Sequence, residues 1–339
     1  MPSTIIVDAF GGDNAPLVNL KGAEDAAREY GVKIILTGNE KEITRCAREN
    51  GISLENMTIV HAPGIVDMHD EPKCILKEKA DSSMAVGLSL LAKGTGDAFV
   101  SAGSTGALVV GATFIVKRIK GIKRSAIATL IPTPKSRFLL IDAGANVECR
   151  ADMLYSFGVM GAKYMELSMG VKNPRVGLLN NGSEDTKGDE LRLETYKLLK
   201  NSSLNFVGNI EARDVMIDKC DVLVTDGFSG NIVLKLSEGV ALSFYGLIKQ
   251  AFVSGKMSKI AALMVKKNLR AMKTLMDYSE HGGAPLMGVT KPVIKAHGSS
   301  NERAIKNAIR QAAAFACSGT IPAIAEFYQS QGNDEHENA

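Results

Sequence analysis

The sequence predicts an α/β protein, with a largely parallel sheet covered on both faces by helices in a three-layer α/β/α arrangement. Short apolar runs such as Ile5-Ile6-Val7 and Val222-Leu223-Val224 read as buried strands. They alternate with helical stretches of roughly 10–20 residues, the pattern of repeated strand–helix–strand units. Five of the runs end in polar, glycine-rich turns, and in such sheets ligands bind beyond the carboxyl ends of the strands.

In chain order, Ile5–Val7 ends in Asp8, and Gly11-Gly12-Asp13 and Pro16 lead into a helix reaching Tyr30. Val32–Leu36 is a second strand, with Asn39 placed to cap the next helix. Met57–Val60 is a third strand. Asp70–Lys93 reads as one helix with Pro72 near its start, where proline is tolerated. Strand Ala98–Val100, helix Ala107–Ile119 and strands Ile127–Leu130 and Phe138–Ile141 follow. Helix Met153–Met169, strand Val176–Leu179, helix Asp189–Leu199 and strand Asn205–Val207 lead to 221–239, DVLVTDGFSGNIVLKLSEG. There a strand turns through Asp226–Asn231 into an apolar-periodic helix. Such a turn leaves backbone N–H groups free to receive an anion.

Residues 240–276 contain no Asp or Glu, while Lys249, Lys256, Lys259, Lys266, Lys267, Arg270 and Lys273 interleave with Leu and Met at helical spacing. One reading is a core-packed helix pair with a solvated basic face. The other, favoured by the lack of acids, is an amphipathic excursion over 240–280 that meets an anionic membrane surface. Amphipathic helices Asn301–Cys317 and Ile321–Tyr328 cover the sheet, and the polar segment 329–339 is expected to be disordered. The organisation is thus a single α/β domain, 1–328, and a short tail.

With 339 residues, 45% hydrophobic and 23% charged, the chain can bury a full core. Aromatics make up 5% and Trp is absent, which argues against a base-stacking surface, and a net charge of +3 gives no reason to expect a nucleic-acid partner. Cys46, Cys74, Cys149, Cys220 and Cys317 are odd in number, scattered and without metal-ligand spacing, as expected of reduced thiols in the cytoplasm. The uncharged run Ala98–Val116 is long enough for a membrane span, but its centre, SAGSTG, reads as strand, turn and buried helix.

The strand ends carry the chemistry. DAFGGD supplies Asp8, Gly11, Gly12 and Asp13, and SAGSTG supplies Ser101, Gly103, Ser104 and Thr105. DAGAN ends in Asn146, NNG begins with Asn180, and DGFSGN contributes Asp226, Gly227, Gly230 and Asn231. No GxGxxG opens the chain and no Walker A pattern occurs, so a dinucleotide or nucleoside triphosphate is disfavoured and a small oxyanion such as phosphate fits better. GSEDTKG adds Lys187, either a solvated loop cation or a ligand of that anion. His297, at the end of an apolar run and before Gly298, is either a hydrogen-bonded structural residue or a substrate contact.

In this order DAFGGDNAP, SAGSTGA, DAGAN, GLLNNGSEDTKG, FVGNIEARD, DVLVTDGFSGNIVLK and GGAPLMGVTKPVIKAHGSS resemble the signatures of the bacterial phosphate acyltransferases of phospholipid synthesis, the PlsX family, over about residues 3–328. The chain departs from them at Phe10, Ser104, Ala212 and His281, where the family pattern has Met, Asn, Gly and Tyr. The resemblance implies a Rossmann-like fold of the isocitrate/isopropylmalate dehydrogenase and phosphotransacetylase group. It also implies transfer of a fatty acyl group from acyl-acyl carrier protein to inorganic phosphate, without metal or cofactor. The acyl phosphate formed would serve a glycerol-3-phosphate acyltransferase. It implies further a homodimer in the cytoplasm with peripheral membrane contact.

On this reading Lys187, Asn231 and His297 are the catalytic candidates and the remaining strand-end residues line the anion pocket. Arg118, Lys120, Lys123 and Arg124, beside Lys117, form a basic cluster suited to an acidic carrier protein, or merely a solvated helix end. Two alternatives stay open at this point: a phosphotransacetylase-like enzyme using acyl-CoA, and a non-catalytic scaffold for lipid-synthesis enzymes on the membrane surface.

Overall fold

A computed structural model describes residues 3–253, 255–276 and 282–337. The first half comprises β1 (Thr4–Asp8), α1 (Leu17–Tyr30), β2 (Lys33–Gly38), α2 (Glu40–Asn50), β3 (Met57–His61), α3 (Ser83–Ala92), β4 (Ala98–Ser101) and α4 (Thr105–Gly111). The middle holds β5 (Ala126–Pro132), β6 (Arg137–Ile141), α5 (Ala151–Leu167), β7 (Val176–Asn180), α6 (Glu190–Lys200), β8 (Phe206–Glu211) and β9 (Val222–Val224). Last come α7 (Gly227–Val253), α8 (Lys256–Met276), β10 (Ala284–Met287), β11 (Val293–Lys295), α9 (Glu302–Cys317) and α10 (Thr320–Glu337).

Eleven strands form one sheet in the order β3-β2-β1-β4-β11-β10-β5-β6-β9-β7-β8. The alternating direction of strand side chains divides the core between its two faces. Ile5, Val7, Ile34, Leu36 and Val100 join α1, α5 and α9 on one side. Ile6, Ile35 and Phe99 join α3 and α4 on the other. These are the expected three layers.

Strand direction adds something that hydrophobic runs do not encode. β3, β2, β1, β4 and β11 are mutually parallel, as are β6, β9, β7 and β8. Between the two sets lie three successive antiparallel pairings, β11 with β10, β10 with β5 and β5 with β6. The two parallel halves therefore run in opposite directions. The five glycine-rich strand ends fall into two groups rather than along one edge.

Three segments differ from expectation. Asp70–Lys93 is not one helix: a 3-10 turn, Pro72–Leu76, precedes α3. Ser82 starts α3 by accepting the Ala85 amide, and the Lys79–Asp70 ion pair pins the intervening turn. The helix expected to reach Ile119 changes after α4 into a π-helical turn, Ala112–Lys117. The polar end of α10 runs to Glu337 where a disordered tail was expected, because no proline interrupts propagation from its packed first half.

α7 and α8 form a hairpin: Val233 and Leu234 near the start of α7 pack against the core, but beyond Gly239 none of the described apolar side chains is buried, Leu242 being 74% and Met264 82% exposed. The core-packed reading of 240–276 is thereby overturned. By length and composition α7 passes the test for a membrane span, and none of its most apolar window is buried in the protein. Lys249, Lys266 and Lys267 are exposed, whereas the side chains of Lys256, Lys259, Arg270 and Lys273 lie outside the described residues.

Candidate active site

The first group of strand ends, after β1, β4 and β11, is tied into one unit. Ser101 Oγ donates to Asp8 Oδ2 at 2.6 Å and accepts the Gly103 amide at 3.0 Å. Asn19 of α1 points its amide at the carbonyls of Asp8, Ala9 and Gly11, at 2.9–3.1 Å. The Asp13 amide donates to Gly298 O at 2.8 Å, joining the β1 loop to the one after β11. Gly12 makes that approach possible: its φ is +101°, and a Cβ there would lie 3.0 Å from Gly298 O. Burial pushes the Asp8 carboxyl upward in pKa against its hydrogen bonds from Ser101 and the backbone.

Asp8 and Ser101 are therefore spent on holding loops in place. Asp13 is exposed beside Gly298, while Ser104 and Thr105 open α4, Ser104 buried and Thr105 half-buried.

The second group, after β6, β7 and β9, is organised by carboxylates. Asp142 accepts five hydrogen bonds, from the amides of Ile127, Gly144, Ala145 and Asn146 and from Asn146 Nδ2. Asn146 Nδ2 also reaches Ser125 O at 2.7 Å, so this side chain fastens DAGAN to the residue before β5. Asp226 caps α7 by accepting the Ser229 amide at 2.8 Å and is paired with Arg192 of α6. Gly227 and Gly230 let the capped turn press on this loop. An added Cβ would stand 2.6 Å from Asn146 O at Gly227 and 1.9 Å from Asp142 O at Gly230. Asn231 is left exposed over Gly144.

Asn180 plays a similar part for Lys187. Its Nδ2 donates to Lys187 O at 3.0 Å, and Asn209 of β8 donates to Glu184 O at 2.7 Å. These two bonds shape the 181–188 loop, whose lysine is exposed.

α7 connects the groups. Anchored in the second, it carries Lys235, one turn beyond Asn231, to where that cation lowers the pKa of both Lys295 and His297. Glu238, paired with Lys235 at 2.9 Å, bears on His297 as well. Thus α7, which carries Asn231 at its start, links the two groups by placing Lys235 within electrostatic reach of the His297 loop.

Burial, then Lys235 and Lys295, hold the His297 pKa below its usual value, so the ring is neutral at pH 7. The Ser299 amide donates to Nδ1 at 3.3 Å, which places the ring proton on Nε2 and makes that nitrogen a donor. Cys149 is unsuited to nucleophilic work: burial and the nearby Asp142 push its thiol up to about 12.

The basic cluster is exposed at Lys117, Arg118, Lys120, Lys123 and Arg124, just after the π turn, with Lys123 paired to Asp152 at 2.7 Å.

Sequence reasoning missed Arg192, Lys235 and Lys295. Lys295 had a usable signal, a cation ending an apolar strand two residues before His297. Arg192 had none, since its partner Asp226 is 34 residues away.

A family model described as fatty acid synthesis protein matches residues 3–322. A phosphate acyltransferase of Alkaliphilus oremlandii is 44% identical over 333 residues, 98% of this chain and 99% of the relative. Another, from Clostridioides difficile, is 44% identical over 335 residues, 98% of each chain. Among solved structures, a phosphotransacetylase from Streptococcus pyogenes superposes with a TM-score of 0.66 over 93% of this chain and 94% of its own. At 19% identity that likeness speaks for the fold alone.

Proposed function

This chain belongs to the fatty acid synthesis protein family, whose matched relatives are phosphate acyltransferases, and on that premise we propose how it transfers an acyl group. The donor is a fatty acyl thioester of acyl carrier protein, and the acceptor is inorganic phosphate. A phosphate oxygen attacks the thioester carbonyl carbon, the C–O bond forms, the C–S bond breaks, and the sulfur leaves as the carrier-protein thiol with the proton that hydrogen phosphate gives up, leaving an acyl phosphate. The observation that carries this reading is that α7 starts at the Asn231 turn of one loop group and brings Lys235, one turn on, within electrostatic reach of Lys295 and His297 in the other.

Phosphate is anionic at neutral pH and needs positioning more than deprotonation. Lys187 and Asn231 hold it, or the oxyanion that develops on the carbonyl. Gly103, Ser104 and Thr105 line the pocket, fixed by Ser101 and Asp8. His297 offers its Nε2–H to the departing sulfur as a hydrogen-bond donor. Asp13, Asn146, Asn180 and Asp226 serve this chemistry by shaping the loops.

Release of free carrier-protein thiol, followed with and without inorganic phosphate, tests the reading. Thiol release is expected only with phosphate, with acyl phosphate trapped by hydroxylamine. Phosphate-independent release, or none from folded protein, would reject it. Running the same assay with acyl-CoA separates a phosphotransacetylase-like donor preference from the one proposed.

Two basic surfaces serve two partners. The Arg118–Arg124 cluster suits the acidic carrier protein, and the α7–α8 hairpin, with exposed apolar residues and no acid from Val240 to Met276, suits an anionic membrane. Charge reversal at Arg118 and Lys120 is expected to raise the KM for carrier-protein substrate and leave sedimentation with anionic vesicles unchanged. Reversal at Lys266 and Lys267 is expected to do the opposite. A shift of both readouts by either variant would sink the division of labour. The family resemblance adds a second copy of the chain as partner, checked by the mass in solution, and a glycerol-3-phosphate acyltransferase as consumer of the product. Localisation in the cytoplasm, at the membrane surface, follows from the same reading.

A further inference from the structure

Lys295 ends β11 inside the first group of loops, half-buried, with its ammonium directed at two carbonyl oxygens. Nζ donates to Ala102 O at 3.3 Å and to Ala296 O, bridging the loops after β4 and β11. An ammonium carries three donors, and carbonyls take two of them. The groups that bear on it electrostatically are Asp8 on β1, Asp13 in the loop after β1 and Lys235 on α7, and Lys295 in turn bears on His297. None of the ion pairs among the described residues includes Lys295, although Asp8 and Asp13 are near.

A half-buried cation held by two neutral carbonyls, with Asp8 and Asp13 near but unpaired with it and Lys235 opposing them, has a donor left for an anion to complete its shell. The bond to Ala102 O sets the ammonium against the SAGSTG loop. We propose that Lys295 is a direct ligand of the phosphate substrate, its third N–H gripping the anion while Ala102 and Ala296 fix its direction. This deepens the acyl-transfer reading and rests on it for the identity of the anion.

The pKa of Lys295 is pushed down to about 8 by burial, with Asp13 and Asp8 opposing and Lys235 assisting. Cation-dependent affinity is then present below about pH 8 in the free protein and falls as pH rises, by at most about tenfold per pH unit.

The test uses inorganic phosphate alone, titrated calorimetrically into the full-length protein and its variants. Lys295→Met is expected to raise the phosphate Kd by about 30-fold or more, the usual consequence of truncating a buried charged contact. The KM for acyl donor should stay within about twofold, and Lys295→Arg should recover part of the lost affinity. Met-variant binding at wild-type affinity, or a loss confined to acyl-donor KM, would overturn the proposal.

Should Lys295→Met fail to fold, Lys295→Gln, which keeps a donor for the Ala102 and Ala296 carbonyls without the charge, puts the same question, and phosphate affinity unchanged in it rejects Lys295 as ligand. Binding is read without turnover, so the two readings fail separately. Phosphate-dependent thiol release by a wild-type protein whose Lys295→Met variant still binds phosphate removes only Lys295. Phosphate held through Lys295 without any thiol release removes only the acyl transfer.

Discussion

Lys187→Ala and Asn231→Ala are each expected to lower kcat by ~100- to 1,000-fold, about 2.7–4 kcal/mol of transition-state stabilisation, at nearly unchanged melting temperature. The size follows from what the two groups would do. Negative charge grows on the carbonyl oxygen as phosphate attacks, and donors fixed in advance stabilise it without reorganising at that moment. Both are fixed at little expense to stability. Lys187 stands exposed on a loop whose shape comes from Asn180 and Asn209, and Asn231 stands exposed on α7 beyond its cap. Removing either side chain leaves those supports untouched, so retained stability is part of the expectation. Turnover within about threefold of wild type for either variant would remove that residue from the mechanism.

Gly230→Ala is expected to damage both stability and turnover. A methyl group at Gly230 would sit 1.9 Å from Asp142 O, far inside contact distance, and the atom it meets is backbone. Asp142 cannot yield easily, because its side chain is held by five hydrogen bonds and its amide by Thr225 O. The start of α7 must move instead. Overpacking of this kind typically costs about 1–3 kcal/mol. Displacing Asn231 and Lys235 by about 1 Å would lose on the order of 100-fold in rate. Thermal melting and the thiol-release assay check the two parts. An alanine variant with wild-type values in both would mean that α7 is not seated as described.

How much of this was legible in the sequence depends on how local each signal is. The buried strands and the glycine-rich ends could be read because their cause lies within a few residues: Asp226, Ser229 and Gly230 make a capped turn almost by themselves. The reversal between the two halves could not. It depends on β10, four residues including Pro285, whose pattern gives no direction and little strand signal. The part of the site that was missed has the same explanation. Lys295 meets Ala102 across 193 residues and Arg192 meets Asp226 across 34, separations over which periodicity carries no information. Asn146 and Asn180 were legible as important but not as supports, since the same polar residue at a strand end can face a ligand or its own loop.

The fixed end of α7 sets how disturbances travel along it. The helix is pivoted at its cap, and its 27 residues extend about 40 Å at 1.5 Å per residue. A tilt of ~5° would swing the far tip by ~3.5 Å but Asn231, about 6 Å from the pivot, by only ~0.5 Å. The helix is thus a lever whose short arm carries Asn231. Motion imposed on the exposed hairpin reaches Asn231 reduced roughly sevenfold, and an outer arm buffeted at a surface can coexist with an inner arm held to catalytic tolerance.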